Sequence, residues 1–135
     1  MAKPRKPGTV DDPALQAWIS RQMDAAVNRL MRRGIVASVM VEAKPAWVLP
    51  GTLLIGKIRD RDRLVGFDWF ICGDAPLSHI DSSLAATPRE AARHFALQWH
   101  LDADRLGGAG ADLAAKAGAL YELVDQDVFW RQVAG

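Results

Sequence analysis

Apolar residues recur at the spacing of one helix face along residues 11–34, near the start of the chain. The stripe comprises Leu15, Trp18, Ile19, Met23, Ala26, Val27 and Leu30. Asp12 is placed to cap this helix, Pro13 suits its first turn, and Gly34 can end it in a left-handed conformation. The pattern therefore predicts a long amphipathic helix at the N-terminal end of the fold.

The next three apolar runs are typical of strands, because they are rich in β-branched residues or alternate between apolar and polar positions. They span residues 35–43, 52–59 and 63–72. Pro45 and Pro50 stand between the first two runs and are expected to interrupt strand pairing there. Since short connections favour antiparallel neighbours, the runs predict a three-stranded antiparallel meander.

Alternation along the third run separates the two faces of the predicted sheet. One face is apolar throughout and carries Val65, Phe67, Trp69 and Ile71. We expect this face to meet the helices. The other face carries Phe70 beside Asp68, a mixture that indicates either a covering element or a free surface. A homodimer through this free sheet face is one expectation that follows.

Two further helices are predicted after the strands. Thr87, Pro88 and Glu90 form a capping-box signature that begins the first of them. The glycine-rich stretch 107–110 ends that helix; a preceding helix and the wrong glycine spacing argue against a phosphate-binding loop. A third helical pattern covers residues 111–126, and a short last turn follows it.

Together these elements predict an α+β fold with an N-terminal helix, a three-stranded antiparallel meander and two to three C-terminal helices packed on one sheet face. Residues 1–10 hold prolines and a glycine among charges and are expected to form a disordered N-terminal tail. Residues 11–135 are expected to form a single α+β domain.

Composition narrows the function classes only slightly. The 135 residues carry a net charge of +1, so no nucleic-acid, anionic-membrane or acidic partner is indicated. One cysteine cannot form an internal disulfide, and no hydrophobic segment follows the basic start. We therefore expect a cytoplasmic protein with no membrane segment and no cofactor.

The stretch WFICGDAPLSHID, residues 69–81, holds the densest set of reactive side chains. A catalytic thiol needs a base nearby, but a separation of seven positions between Cys72 and His79 defines no geometry. Free cysteine at the end of an apolar strand usually behaves as a small hydrophobe, and Gly73 with Asp74 is typical of a turn. No catalytic residue is therefore assigned.

Carboxylates and histidines in this region lack the paired spacing of a zinc site, so no metal is predicted. Asp68 is unusual, because an acidic residue inside an apolar strand has to be solvated or paired. An arginine of a neighbouring strand, such as Arg59, is the expected partner. Structural and functional roles both stay open for Asp68.

Three motifs occur together in the chain. A tryptophan-rich strand ends in Gly-Asp-x-Pro, represented by Trp69, Gly73, Asp74 and Pro76. A helix begins with Pro-Arg-Glu-Ala and continues into Phe-x-Leu-Gln-Trp, represented by Pro88, Arg89, Glu90, Ala91, Phe95, Leu97, Gln98 and Trp99. The third motif is the closing LYELVDQDVFW. These motifs lie in the second half of the chain and resemble a small bacterial family classed only as a domain of unknown function, which implies no activity.

The leading hypothesis is a non-enzymatic binding or protein-interaction module, because the fold signal is clear and no set of reactive groups converges. Its expected surface lies where the loop 73–86 meets the second helix, and its partner is an unknown protein or small molecule. The candidate residues are Asp68, Gly73, Asp74, His79, Asp81, Arg89, Arg93 and Gln98. The alternative hypothesis is a small hydrolase or metal-dependent enzyme centred on Asp68, Asp74 and His79.

Overall fold

A computed structural model describes residues 12–36, 41–60 and 66–131 of the chain. Its elements are, in chain order, α1 Pro13–Arg32, β1 Val41–Leu49, β2 Leu53–Asp60, β3 Asp68–Gly73, β4 Ser78–Ile80, α2 Pro88–Leu106 and α3 Ala111–Val124. Short 3-10 turns follow β4, α2 and α3, at Ser82–Leu84, Gly107–Gly110 and Asp127–Phe129. The predicted tail, residues 1–10, lies outside the described residues, as do residues 37–40 and 63–65 of the predicted strands.

Both ends of α1 are closed as the sequence predicts. The Asp12 carboxylate accepts a hydrogen bond of 2.9 Å from the Ala14 N–H. At the other end Gly34 takes a φ of 76°, a left-handed value that glycine adopts without strain. Gly34 and Ile35 both donate their N–H groups to carbonyls of the last turn, so the helix end is satisfied by its own backbone.

The predicted capping box is also present at the start of α2. The Thr87 hydroxyl accepts a hydrogen bond of 3.2 Å from the Glu90 N–H. The Glu90 carboxylate in turn accepts a bond of 2.8 Å from the Ala86 N–H, one residue before the cap. None of the helices in the described ranges is both long enough and apolar enough to cross a membrane.

The strands form an antiparallel meander, as predicted, but the described residues contain four strands in the order β1-β2-β3-β4. The sequence pattern missed β4, because a strand of three residues is too short to show alternation. The first strand, described from Val41, continues beyond its predicted end at Ala43 and through Pro45, with a register shift between Pro45 and Trp47. The prediction that Pro45 interrupts pairing is wrong, because β1 is an edge strand and a bulge accommodates proline there.

Helices cover the sheet on both faces: the C-terminal helices share one face, as predicted, and the N-terminal helix is the element that covers the other. α2 and α3 pack on the face of Trp69 and Ile71, while α1 packs on the face of Phe70 and Cys72. The predicted alternation of β3 is confirmed, but the Phe70 side chain has no exposed surface. The apolar stripe of α1 has to be buried, and the second face of the sheet is the surface that buries it. Phe70 is therefore covered within the chain itself, and the homodimer through this face stays a prediction.

The glycine-rich stretch is a helix–helix connection, as predicted, and it joins α2 to α3 in a tight hairpin. A Cβ on Gly110 would lie 2.4 Å from the Ala103 carbonyl oxygen, so a larger residue would force the helices apart. Beyond α3 the chain returns to the sheet, where Trp130 stacks on Trp47 with ring centroids 4.4 Å apart. The Trp47 indole N–H also donates to the Phe129 carbonyl at 2.8 Å, which ties the C-terminal turn to β1.

Gly56→Ala is expected to lower the free energy of unfolding by about 1–3 kcal/mol, the usual cost of overpacking a core. Gly56 pairs with Phe70 between β2 and β3, and an added Cβ would lie 2.4 Å from the ring. Gly118→Ala in α3 is the matched control, because its Cβ would meet no atom within 4 Å and alanine favours a helix. Urea unfolding followed by circular dichroism measures both variants; a Gly56→Ala protein as stable as wild type would contradict this packing.

Candidate functional site

Asp68 and His79 form a carboxylate–imidazole pair near the start of β3. Both side chains lie on the α1 face of the sheet, since Asp68 alternates with Trp69 and His79 pairs with Phe70. Asp68 Oδ2 lies 2.9 Å from His79 Nε2, and Asp68 Oδ1 accepts a hydrogen bond of 3.0 Å from the Ser82 N–H. With both carboxylate oxygens engaged, Asp68 orients the imidazole of a partly exposed histidine.

The expected partner of Asp68 was Arg59, and this prediction is wrong. Ile58 is the residue opposite Asp68 in the β2–β3 register, so the adjacent Arg59 points to the other face of the sheet. Arg59 instead donates from Nε and Nη2 to one oxygen of Glu42, at 3.1 and 3.0 Å. The prediction that Asp68 is paired is confirmed. Because side chains alternate between the two faces along β2, Arg59 faces away from Asp68, and His79 on β4 is the partner instead.

Asp81 has a local structural role beside this pair. Its carboxylate caps the 3-10 turn Ser82–Leu84 and accepts a hydrogen bond of 2.9 Å from the Ser83 N–H. Hydrogen bonds from the Ser83 hydroxyl and then from its N–H hold the pKa of the exposed Asp81 carboxyl below its ordinary value, and the charge of His79 adds to this effect. Asp81 therefore stays ionised and stabilises the turn that carries Ser82 to Asp68.

Gly73 and Asp74 lie at the opposite end of β3 from Asp68. Gly73 has a φ of 103°, and a Cβ there would lie 2.5 Å from the Thr52 carbonyl oxygen. The exposed Asp74 carboxylate lies 3.4 Å from Lys116 Nζ on α3. Six residues of strand span about 20 Å, so the fold does not assemble Asp68, Asp74 and His79 into the single centre of the alternative hypothesis.

Cys72 has the structural role that the sequence favours. The thiol is buried against α1, with Sγ 3.9 Å from the Gln22 carbonyl oxygen. Burial raises the pKa of the Cys72 thiol to about 12, so the neutral form persists at physiological pH. Within the described residues, no group of three or more histidine, cysteine or acidic side chains is arranged to hold a metal ion.

Arg89 and Arg93, both predicted for the surface, differ in what they contact. Arg89 donates from Nε to the Val124 carbonyl at 2.7 Å, and its Nη2 lies 2.8 Å from the Asp127 carboxylate. Arg89 therefore caps the C-terminal end of α3 and links it to the start of α2. Arg93 is exposed on α2.

Of the predicted surface residues, His79 and Gln98 line one depression, between β4 and the second half of α2. This cleft of about 790 Å³ is lined by Ser78, His79, Gln98, Leu101, Asp102, Asp104 and Arg105, and we call it the β4–α2 cleft. The Trp99 indole N–H donates to the Ser78 hydroxyl at 2.8 Å and holds α2 on β4. The edge of the sheet and the outer side of α2 therefore form its two walls.

Two leucines on the outer side of α2 were missed as site residues. Leu97 and Leu101 are one helical turn apart, with 43% and 53% of their surface exposed. The residues that α2 buries include Phe95, Ala96 and Trp99, so both leucines lie off the apolar stripe. This departure from the helical pattern was visible in the sequence and was the available signal for the surface.

Comparison with known proteins gives one family match. The family model described as "Domain of unknown function (DUF4826)" matches residues 13–130. This span begins at the first residue of α1 and ends at Trp130, which stacks on the sheet, so it covers every helix and strand described above. No curated protein and no solved structure matches the chain.

Arg89→Met is expected to lower the free energy of unfolding by about 1–3 kcal/mol, because a helix-end carbonyl and Asp127 both lose a charged donor. Arg93→Met is the matched control, with an expected change within about 0.5 kcal/mol at an exposed position. Chemical denaturation measures both. Equal effects of the two substitutions would show that Arg89 has no structural role.

Cys72 is expected to react with a thiol reagent at pH 8 at least about tenfold more slowly in the native protein than in guanidinium, because the thiolate is the reactive form. The raised pKa also implies a pH effect with a definite sign. The stability from the buried neutral thiol is complete below the unfolded pKa of about 8.5 and is lost as pH rises through about 12. Fast labelling of the native protein would contradict the burial of Cys72.

Proposed function

Because the chain belongs to the family described as Domain of unknown function (DUF4826), whose description names no activity, we propose a function from the site: a protein-interaction module that binds a partner segment along the β4–α2 cleft. The observation that carries the proposal is the exposed pair Leu97 and Leu101 beside the cleft.

The leucine pair has the chemistry of an interface centre. Burying a leucine side chain contributes about 1.5–3 kcal/mol relative to leaving it exposed, so covering Leu97 and Leu101 is a substantial source of binding free energy. Gln98, Arg105 and His79 line the cleft together with Leu101 and offer hydrogen-bonding groups. An apolar centre with a polar rim is the usual composition of a protein–protein interface.

The position of the leucines favours a protein segment over a small molecule. Leu101 lines the cleft, whereas Leu97 lies one turn away and is not part of its lining. A small molecule held in the cleft would leave Leu97 exposed. A polypeptide segment lying along α2 covers both leucines and places its polar groups near Gln98 and His79.

The Asp68–His79 pair supports a second candidate, general acid–base catalysis in the same cleft. An imidazole oriented by a carboxylate is a suitable base, and His79 lines the cleft. Within the described residues, His79 has no hydroxyl or thiol among its hydrogen-bond partners, so such an enzyme would use water as the nucleophile. Ester hydrolysis that is lost in His79→Gln and kept in Lys116→Gln would favour this candidate.

Replacing Leu101 with a photo-crosslinking phenylalanine analogue is expected to give a discrete adduct in the native cells. The same replacement at Ala114, exposed on α3, is the control and is expected to give none. Mass spectrometry of the adduct distinguishes another protein from a second copy of the chain. No adduct at Leu101, or the same adducts at both positions, would contradict the proposal.

The contribution of the leucines is measured with the probe moved to Gln98. In a Leu97→Ser, Leu101→Ser background the adduct is expected to fall by about tenfold or more, because two buried leucines contribute more than the 1.4 kcal/mol that this factor requires. An unchanged yield in this background, with the fold intact by circular dichroism, would show that the leucines are not the interface centre.

A further inference from the structure

A second surface lies on the sheet face that α2 and α3 cover only in part. Near the start of β1 and the end of β2, this face carries Lys44, Lys57 and Arg59, which we call the basic ladder. Alternation places these side chains on the same face as Trp47 and Ile55, which are buried under the helices. The ladder residues are exposed or half-buried, so the helices end short of them.

The ladder contains an unfavourable pairing of like charges. Lys44 and Lys57 are direct partners in the β1–β2 register, and like charges directly opposite each other destabilise a sheet. The next pair on this face, Glu42 and Arg59, is complementary and hydrogen-bonded. A carboxylate opposite a cation is therefore compatible with this surface, and the lysine pair lacks such a complement in the β1–β2 register.

Aromatic rings position the cations of the ladder. Lys44 Nζ and Arg59 Cζ lie 4.7 and 4.2 Å from the centroid of the Phe67 ring, and Lys57 Nζ lies 4.9 Å from that of Trp69. Within the described residues, neither Lys44 nor Lys57 forms an ion pair. Each of the two paired lysines is thus held over an aromatic ring, and in the described part of the chain neither has an ion-pair partner.

We propose that the basic ladder binds a carboxylate-rich segment of a partner protein. Carboxylates placed between Lys44 and Lys57 would neutralise their repulsion and accept their hydrogen bonds. Single-stranded nucleic acid fits less well, because its bases stack on free aromatic faces and the Phe67 ring already contacts two cations. The ladder shares no residue with the β4–α2 cleft, so either proposal can fail without the other.

Fluorescence anisotropy of a labelled octaglutamate peptide at low salt tests the proposal. The Lys44→Gln, Lys57→Gln protein is expected to bind at least about tenfold more weakly than wild type. Lys116→Gln, Arg93→Gln is the control with the same change in net charge, and its binding is expected to stay within about twofold of wild type. Octaglutamine peptide controls for binding that does not depend on carboxylates.

Thermal melting gives a readout that a structural role would not produce. The ladder variant is expected to melt close to the wild-type temperature although it binds the peptide more weakly, because relief of the opposed charges offsets the loss of two cation–π contacts. Unchanged stability together with weaker binding supports the proposal. No binding of octaglutamate by wild type, equal weakening in both variants, or tighter ladder-dependent binding of oligothymidylate would overturn it.

Discussion

Burial of the two central strands on both faces is the constraint on which the rest of the structure depends. Along β2, Leu54 faces α1 and the next residue, Ile55, faces α2 and α3, and neither has exposed surface. Helices on one side only would leave a continuous apolar face in water, so α1 has to lie opposite the C-terminal helices. Gly56 completes this arrangement, because the missing Cβ leaves room for the Phe70 ring inside the α1 layer.

The same packing positions the candidate site. β4 adds to the edge of β3 and thereby brings His79 within reach of Asp68, although 11 positions separate them in the chain. α2 returns along this edge and is held there by the hydrogen bond from Trp99 to Ser78. The inner side of α2 is then buried, and its outer side becomes one wall of the β4–α2 cleft. The site is thus a consequence of where the core requires α2 to lie.

Local signals in the sequence predicted the helices and strands well. Relations between residues far apart in the chain were predicted poorly. The caps at Asp12, Gly34 and Thr87 involve neighbours a few positions away, and all three have the bonds expected of them. Pro45 and Asp68 were misjudged, because their environment depends on strand order and register. An edge position makes proline acceptable in β1, and the register of β2 turns Arg59 away from Asp68.

By itself, the sequence determined the class of fold, the ends of the helices, the alternation of β3 and the structural character of Cys72, because each depends on backbone chemistry or on burial over a short stretch. Only the tertiary structure decided that α1 covers the Phe70 face, that Asp68 pairs with His79, and that Asp74 lies about 20 Å away at the other end of the strand. These relations join residues through the sheet. The amino-acid sequence alone does not show which strands become neighbours or in which register they pair.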